Sequence, residues 1–221
     1  GGLGRGCALG MRRACARART PLDAAHQRFL TVWRIYTSGV GLKILVTTGM
    51  PGCGKEEFLK CCVERGAKVI RMGDLVRDRA KEFGIDHSDG NLGDLANEER
   101  QRFGMDIWAK RVIPLVGGNL VAIDGTRGPD EIRAFRHAFG ADLQVVAIHT
   151  SPKTRFERLK ARGRADSPTA LSEFDKRDRR ELDWGLGDAI ALADHMIVNE
   201  GTLDELKAQV DTLLDRILPK G

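Results

Sequence analysis

The sequence predicts an α/β protein in which a mostly parallel sheet is covered by helices on both faces. Five short apolar, β-branched runs alternate with segments whose apolar residues recur at helical spacing, and such alternation is typical of parallel sheets. Polar motifs directly follow several of these runs, at the edge of the sheet where ligands bind. With 221 residues and 42% hydrophobic content, the chain can bury one substantial core.

The first forty residues differ in composition from the rest of the chain. They hold seven arginines, no lysine and one acid, Asp23, a net charge of +6, whereas residues 41–221 carry a net charge of −1. We expect 1–40 to be a disordered or non-native basic extension and 41–221 to be the folded domain. A nucleic-acid-binding protein should have a basic body, so nucleic acid is a minor hypothesis, confined to the extension and testable by truncation.

Cysteine usage and apolar run lengths indicate the compartment. The five cysteines form no Cys-x-x-Cys pair and no cluster of zinc-like spacing, a usage that suits a reducing cytoplasm. No uninterrupted apolar run approaches the length of a membrane span. We therefore expect a cytoplasmic protein without a membrane partner, whose oligomeric state is open.

The first strand, 42–48, runs into a glycine-rich loop that we interpret as a phosphate-binding loop. The pattern Gly-x-x-x-x-Gly-Lys occupies 49–55, and a helix over 55–65 follows, which is the context that the motif requires. The loop amides and the helix N-terminus would bind phosphates, and Lys55 would reach the β- and γ-phosphates as a catalytic residue. The predicted nucleotide-binding residues here are Gly49, Met50, Pro51, Gly52, Cys53, Gly54, Lys55 and Glu56.

Glu56 departs from this motif, which has a serine or threonine hydroxyl as a magnesium ligand at that position. Like charges ~4 Å apart repel by about 4 kcal/mol at an effective dielectric near 20, so a carboxylate would oppose the binding of bare phosphates. With Mg²⁺ in between, the carboxylate becomes a ligand instead. We therefore expect Glu56 to ligate magnesium. We also expect nucleotide binding to depend more steeply on magnesium than it does in phosphate-binding loops that have serine or threonine at this position.

Asp74 and Arg77 follow the second strand, 67–72, at the same edge of the sheet. Arg77 offers a planar fork for the phosphate of a second substrate; without the other motifs, the two residues would be a helix cap and a solvated arginine. A largely helical region follows over 74–116, with an interruption near 84–91.

The third strand, 119–123, ends in Asp124, a position from which a carboxylate can hold Mg²⁺ directly or through water. The alternative is a turn residue before glycine. A helix over about 129–139 and a fourth strand, 143–149, come next.

Two helices with many arginines separate the fourth strand from the last one, 195–199. Ser151-Pro152 should start the first helix and Gly163 end it, and Ser167-Pro168 should open the second, through about Leu182. Such arginine runs are often solvated faces, but on a closing lid they can neutralise a migrating phosphoryl group. The predicted catalytic lid residues are Arg162, Arg164 and Arg177, within the set Arg155, Arg158, Arg162, Arg164, Arg177, Arg179 and Arg180.

Together these motifs resemble the nucleotide and dephospho-coenzyme A kinases of the adenylate kinase type. The resemblance covers nearly all of 42–218 and is carried by Gly49–Lys55, Gly73-Asp74-x-x-Arg77, Asp124-Gly125, the arginine-rich lid and residues 193–202. Within that group, RMGDLVRDRA, IDGTRGPDEIRAF, SPKTRFERLKARGR and IALADHMIVNEGT are most similar to an archaeal family of adenylate-kinase-like P-loop NTPases.

The resemblance implies a three-layer P-loop NTPase fold with a five-stranded parallel sheet and a short helical lid at about 151–182. It also implies ATP and Mg²⁺ as cofactors, adenine against the loop that begins at Asn199, and an acceptor-binding insertion at about 73–116. The acceptor-binding residues would be Asp74, Arg77 and Arg127, although Arg127 stands one residue nearer to the Asp-Gly pair than its counterpart in adenylate kinases.

Our leading hypothesis from the sequence is an ATP-dependent phosphotransferase that acts on a nucleotide-like, phosphate-bearing small molecule. Glu56 and the shifted Arg127 keep a second class open, a nucleotide-binding regulator or slow ATPase without a small-molecule acceptor. The identity of the acceptor depends on the shape of the pocket that residues 77–110 form, where no motif is legible.

Overall fold

The computed structural model describes residues 41–163, 168 and 170–218. The predicted basic extension and Arg164 lie outside these residues. The sheet has five strands in the order β2-β3-β1-β4-β5, and every neighbouring pair is parallel. The strands are β1 Lys43–Thr48, β2 Lys68–Arg71, β3 Leu120–Asp124, β4 Leu143–His149 and β5 His195–Val198.

Nine α-helices occur in the described part of the chain. They are α1 Lys55–Glu64, α2 Met72–Glu82, α3 Asp89–Phe103, α4 Ile107–Val112, α5 Pro129–Phe139, α6 Pro152–Ala161, α7 Leu171–Asp183, α8 Leu186–Ala191 and α9 Leu203–Ile217. Short 3-10 turns at Ile113–Leu115 and Gly140–Asp142 precede β3 and β4. The predicted three-layer fold with five parallel strands is confirmed.

The two faces of the sheet are covered by different helices. On one face, Phe58 and Leu59 of α1 pack with Leu206 and Val210 of α9 in a single apolar cluster that includes Leu45 of the sheet. On the other face, α5 and α8 lie against β4, and α8 also lies against β1. The helical spacing of apolar residues in α1, α5 and α9 predicted these buried faces, because residues three and four apart share one side of a helix.

Two helix boundaries differ from the sequence prediction, and one helix was not predicted. The second lid helix begins at Leu171 rather than at Pro168, and the backbone N–H of Ala170 donates to Glu173 Oε2 at 3.4 Å. Helix α2 begins at Met72, directly after β2, and α8 was not predicted. Neither α2 nor α8 has a side-chain cap hydrogen bond that a sequence pattern could reveal, since Arg71 precedes α2, and Gly185, with a φ of 90°, precedes α8.

No helix in the described ranges is both long enough and apolar enough to cross a membrane. The three cysteines among them, Cys53, Cys61 and Cys62, are free and buried. Burial raises the pKa of the Cys62 thiol to about 12.

Candidate active site

The loop between β1 and α1 has a backbone conformation that requires glycine at several positions. Gly49, Gly52 and Gly54 have φ angles of 145°, 82° and 105°. A β-carbon at Gly49 would lie 2.3 Å from the carbonyl oxygen of Ile148, and one at Gly54 would lie 2.4 Å from Nδ2 of Asn199. Both the dihedral angles and the close contacts therefore require glycine at the ends of the loop.

Lys55, the first residue of α1, folds back over the loop. Its Nζ donates to the carbonyl oxygens of Gly49 at 2.6 Å and Met50 at 3.2 Å. These carbonyls hold the ammonium group above the loop, at the N-terminal end of a ten-residue helix. Lysine and helix N-terminus thus present positive charge at one place, as an anion site requires.

Two carboxylates lie next to this loop. Asp124, the last residue of β3, accepts a hydrogen bond from Thr47 Oγ1 at 3.0 Å, which links it to the strand that carries the loop. Glu56 accepts from Arg71 at 2.7 Å. Sequence reasoning missed Arg71, because the two residues are fifteen positions apart and no motif joins them.

The loop after β5 is fastened to the phosphate loop. Asn199 Nδ2 donates to the carbonyl oxygen of Cys53 at 2.9 Å, and Thr150 Oγ1 donates to the same oxygen at 3.1 Å. Arg158 Nη1 donates to the carbonyl oxygen of Asn199 at 3.0 Å. The segment predicted to lie against adenine is therefore held by the neighbouring loop and by α6.

Glu200 caps the start of α6. It accepts hydrogen bonds from the backbone N–H of Ser151 and from Thr154 Oγ1. Both bonds lower the pKa of its carboxyl group, and the bond from Ser151 has the larger effect. Helix α6 is thus attached to the loop after β5 by an acid at its N-terminus and by Arg158 farther along.

The residues predicted to bind the acceptor are paired with carboxylates. Arg77 forms an ion pair with Asp74, one helical turn away. Arg127 Nε donates to Glu181 of α7 at 2.8 Å. The negative charge of Glu181 raises the pKa of Arg127, and this effect outweighs that of burial, which lowers it.

Trp184 is surrounded by guanidinium groups at the end of α7. The guanidinium carbons of Arg100, Arg180 and Arg127 lie 4.9, 5.5 and 5.6 Å from the centroid of its ring. Arg100 also pairs with the buried Glu131 at 3.1 Å. This cluster joins α3 and α5 to the end of the predicted lid helix, and no sequence pattern signalled it.

The arginines of α6 and α7 have different environments. Arg155 is buried and donates two hydrogen bonds to Asp178, at 2.8 and 2.5 Å. It is a structural link between the two helices rather than the exposed lid arginine that the sequence suggested. Arg162 and Arg177, two predicted catalytic residues, line the cleft.

These elements surround a cleft of about 750 Å³. Of the predicted site residues, it is lined by Gly49, Pro51, Gly52, Gly54, Lys55, Glu56, Arg77, Asp124, Arg127, Arg162 and Arg177. The side chains of Met50, Cys53 and Asn199 are buried and, like Asp74, are not among the lining residues. Eight cationic and four acidic side chains line the cleft, a net charge of +4 in a domain whose overall charge is −1. Its lining thus favours polyanionic ligands.

Residues 48–174 match the family model described as the AAA domain. The chain is 40% identical over 183 residues to the UPF0200 protein TK1334 of Thermococcus kodakarensis, a match that covers 80% of this chain and 99% of the relative. It belongs to the UPF0200 family. The UPF0200 protein Ta0179 of Thermoplasma acidophilum is 43% identical over 172 residues, covering 77% and 94% of the two chains. The resemblance to an archaeal family of P-loop proteins is thereby confirmed.

Solved structures extend this likeness to the fold. A gluconokinase from Sinorhizobium meliloti superposes on this UPF0200 chain with a TM-score of 0.54, at 16% identity and with 80% and 94% of the two chains covered. A shikimate kinase from Acinetobacter baumannii, in complex with shikimate, gives a TM-score of 0.55 at 15% identity, with 81% and 96% covered. The UPF0200 domain therefore has the fold of the P-loop kinases.

Proposed function

We propose that this UPF0200 protein is an ATP-dependent phosphotransferase that transfers the γ-phosphoryl group to a nucleotide-like, phosphate-bearing small molecule. The observation that carries the proposal is that one cleft is lined both by Lys55 with the glycine loop and by Arg77 with Arg127. A nucleotide-binding protein needs only the first of these anion sites, whereas a transferase needs both.

The phosphate loop and its neighbours would bind ATP. Loop amides and Lys55 would hold the phosphates, and the segment that begins at Asn199 would contact adenine. The donors near the loop suit magnesium, a hard cation that is commonly held by one or two carboxylates together with substrate phosphates. Asp124 and Glu56 both line the cleft, so they would hold the ion, which would supply positive charge against the phosphates.

In the transfer step, a bond forms between an acceptor oxygen and the γ-phosphorus while the bond to the β–γ bridging oxygen breaks, and ADP leaves. Charge on the migrating group is spread over its equatorial oxygens, so catalysis rests on positioning and electrostatic stabilisation. Lys55, Arg162 and Arg177 would supply this stabilisation, with Arg164 as a further lid residue. The lid itself would exclude water.

On the acceptor side, Arg77 and Arg127 would hold the acceptor's phosphate, with Asp74 fixing the orientation of Arg77. Arg127 donates a hydrogen bond from Nε to Glu181. This bond orients the guanidinium group and reduces the entropy that is lost when its remaining nitrogens bind an anion.

The deciding experiment incubates the full chain with ATP and Mg²⁺ against nucleoside monophosphates, dephospho-coenzyme A and other small phosphates, and measures ADP and product. We expect one class of acceptor to stimulate ADP formation and this stimulation to vanish in Lys55→Ala. Lys68→Ala is the matched control, because Lys68 bonds to the carbonyl oxygen of Leu115 and is not among the residues lining the cleft. ADP formation that no acceptor stimulates would refute the phosphotransferase.

One observation favours a second candidate function, a nucleotide-binding regulator or slow ATPase. The carboxylates that orient Arg77 and Arg127 also carry negative charge, and their repulsion of an acceptor phosphate lowers the free-energy gain from binding it. ATP binding combined with slow turnover that is equal for every acceptor would support this alternative.

Because of the cysteine usage, we also propose a cytoplasmic location.

A further inference from the structure

The ion pair between Glu56 and Arg71 connects α1 to the end of β2 beside the phosphate loop. Arg71 Nη2 lies 2.7 Å from Glu56 Oε1, and the two side chains are 36% and 45% exposed. Both residues line the cleft. The nucleotide-binding motif explains neither the acid at this position nor its cationic partner.

The pair lies close to the carboxylate proposed to hold magnesium. In the parallel pairing of β2 and β3, Arg71 is the register partner of Asp124, and neighbouring strands are about 4.8 Å apart. Glu56 directly follows Lys55, whose ammonium group lies over the loop. Two carboxylates and two cations therefore surround the place where the phosphates of a nucleotide would end.

Two cations would compete for the carboxylate of Glu56 when a nucleotide binds. With bare phosphates, Arg71 offsets the negative charge of Glu56 and reduces its repulsion of the ligand. With a magnesium nucleotide, the carboxylate can ligate the ion, but only if it leaves Arg71. A pair that is about half exposed has a small free energy of interaction, so the exchange meets little resistance.

We propose that Glu56 exchanges partners on nucleotide binding, from Arg71 to the magnesium ion of the nucleotide. Arg71 is then the residue that sets how strongly nucleotide binding depends on magnesium. This inference rests on the proposed nucleotide site and adds a residue that controls which form of the nucleotide the site accepts.

Isothermal titration calorimetry tests the exchange. The affinity of the full chain for ATP is measured at constant ionic strength with excess MgCl₂ and with EDTA, and the ratio of the two affinities is the readout. The variants are Arg71→Gln, Glu56→Ser and the double variant. The matched control is Arg65→Gln, because Arg65 is 33% exposed and pairs with Asp211 and Asp215, away from the cleft.

We expect the magnesium ratio to be largest in Arg71→Gln, intermediate in wild type and smallest in Glu56→Ser. Arg71→Gln should raise the ratio by about fivefold, mainly through weaker binding of metal-free ATP, because an exposed pair contributes up to roughly this factor. In the Glu56→Ser background the same change should have no effect on the ratio, and Arg65→Gln should leave it at the wild-type value.

Equal ratios in wild type, Arg71→Gln and Glu56→Ser, with ATP bound in every case, would overturn the exchange and leave the nucleotide site standing. An Arg71→Gln effect that persists in the Glu56→Ser background would also overturn it, since Arg71 would then act on the ligand directly. If wild type binds no ATP under either condition, the proposed function fails and the exchange fails with it.

Discussion

Replacing Asp178 by alanine should destabilise the protein strongly, because it leaves a buried guanidinium without its counter-charge. Arg155 has a side chain that is 3% exposed and donates two bonds to Asp178, at 2.8 and 2.5 Å. Its other bonds go to the carbonyl oxygens of Thr150 and Pro51, both at 3.2 Å. These neutral acceptors do not replace a carboxylate. The substitution therefore leaves a buried charge without its carboxylate partner.

The size of the effect follows from the burial of the pair. Removing one partner of a buried ion pair costs about 3–5 kcal/mol. Asp178 is 16% exposed, so water can enter in place of the carboxylate, and we expect the lower end, about 3 kcal/mol. For a domain of this size, each kcal/mol lowers the melting temperature by about 2–4 °C, which gives a decrease of about 6–12 °C.

Differential scanning calorimetry of wild type, Asp178→Ala and Asp183→Ala measures this decrease. Asp183 lies on the same helix and pairs with Arg179 at 3.2 Å, but the two side chains are 61% and 78% exposed, so its loss should change the melting temperature by no more than about 2 °C. The double variant Arg155→Met/Asp178→Leu should recover most of the stability, because neither charge is then buried. A melting temperature of Asp178→Ala equal to that of Asp183→Ala would refute this reasoning.

Three further changes give measurable results. Glu181→Gln weakens the hold on the acceptor-side arginine and should raise the acceptor KM about tenfold with little change in the ATP KM; equal changes in both would contradict this role. Because the pKa of Glu200 is lowered in the folded protein, its stabilising effect is complete above the ordinary value of about 4.3 and is lost as the pH falls through the lowered pKa. The difference in unfolding free energy between wild type and Glu200→Gln should therefore be constant from about pH 6 to 8 and shrink below about pH 4 in urea titrations. Gly54→Ala places a β-carbon 2.4 Å from Asn199 and should weaken ATP binding by at least about tenfold, whereas Gly66→Ala, whose φ of 84° is also positive but whose surroundings are open, should not.

The fold could be predicted because its determinants are local. An apolar run leading to Gly49 and the pattern Thr202-x-x-Glu205, which is that of a capping box, each specify an element within a few residues, and the structure has a strand and a helix at those places. Thr202 Oγ1 accepts from the backbone N–H of Glu205, and the Glu205 carboxylate accepts from that of Thr202. Where an element begins without such a signal, as α7 does at Leu171 after Ala170, the predicted boundary was wrong.

The candidate site could be predicted only in part, because long-range pairing decides the environment of each charge. The sequence treated Arg155 like the other lid arginines, yet folding buries it against Asp178. It marked Glu56 as an anomaly but did not show that Arg71, at the end of another strand, is its partner. Glu181 and Trp184 carried no motif, and their importance for Arg127 is visible only when the end of α7 lies beside the segment that follows β3.

The central position of β1 has a consequence for how the cleft opens. This strand is bonded to β3 on one side and to β4 on the other, and its residues from Ile44 to Thr48 are fully buried. Amide protons in such a strand exchange with solvent only through global unfolding, whereas helices at the rim of a sheet open in smaller, less costly fluctuations. Deuterium should therefore enter α6 and α7 long before it enters β1. The strand that leads into the phosphate loop would stay formed while these helices open, so a ligand would enter beside a surface that is already in place.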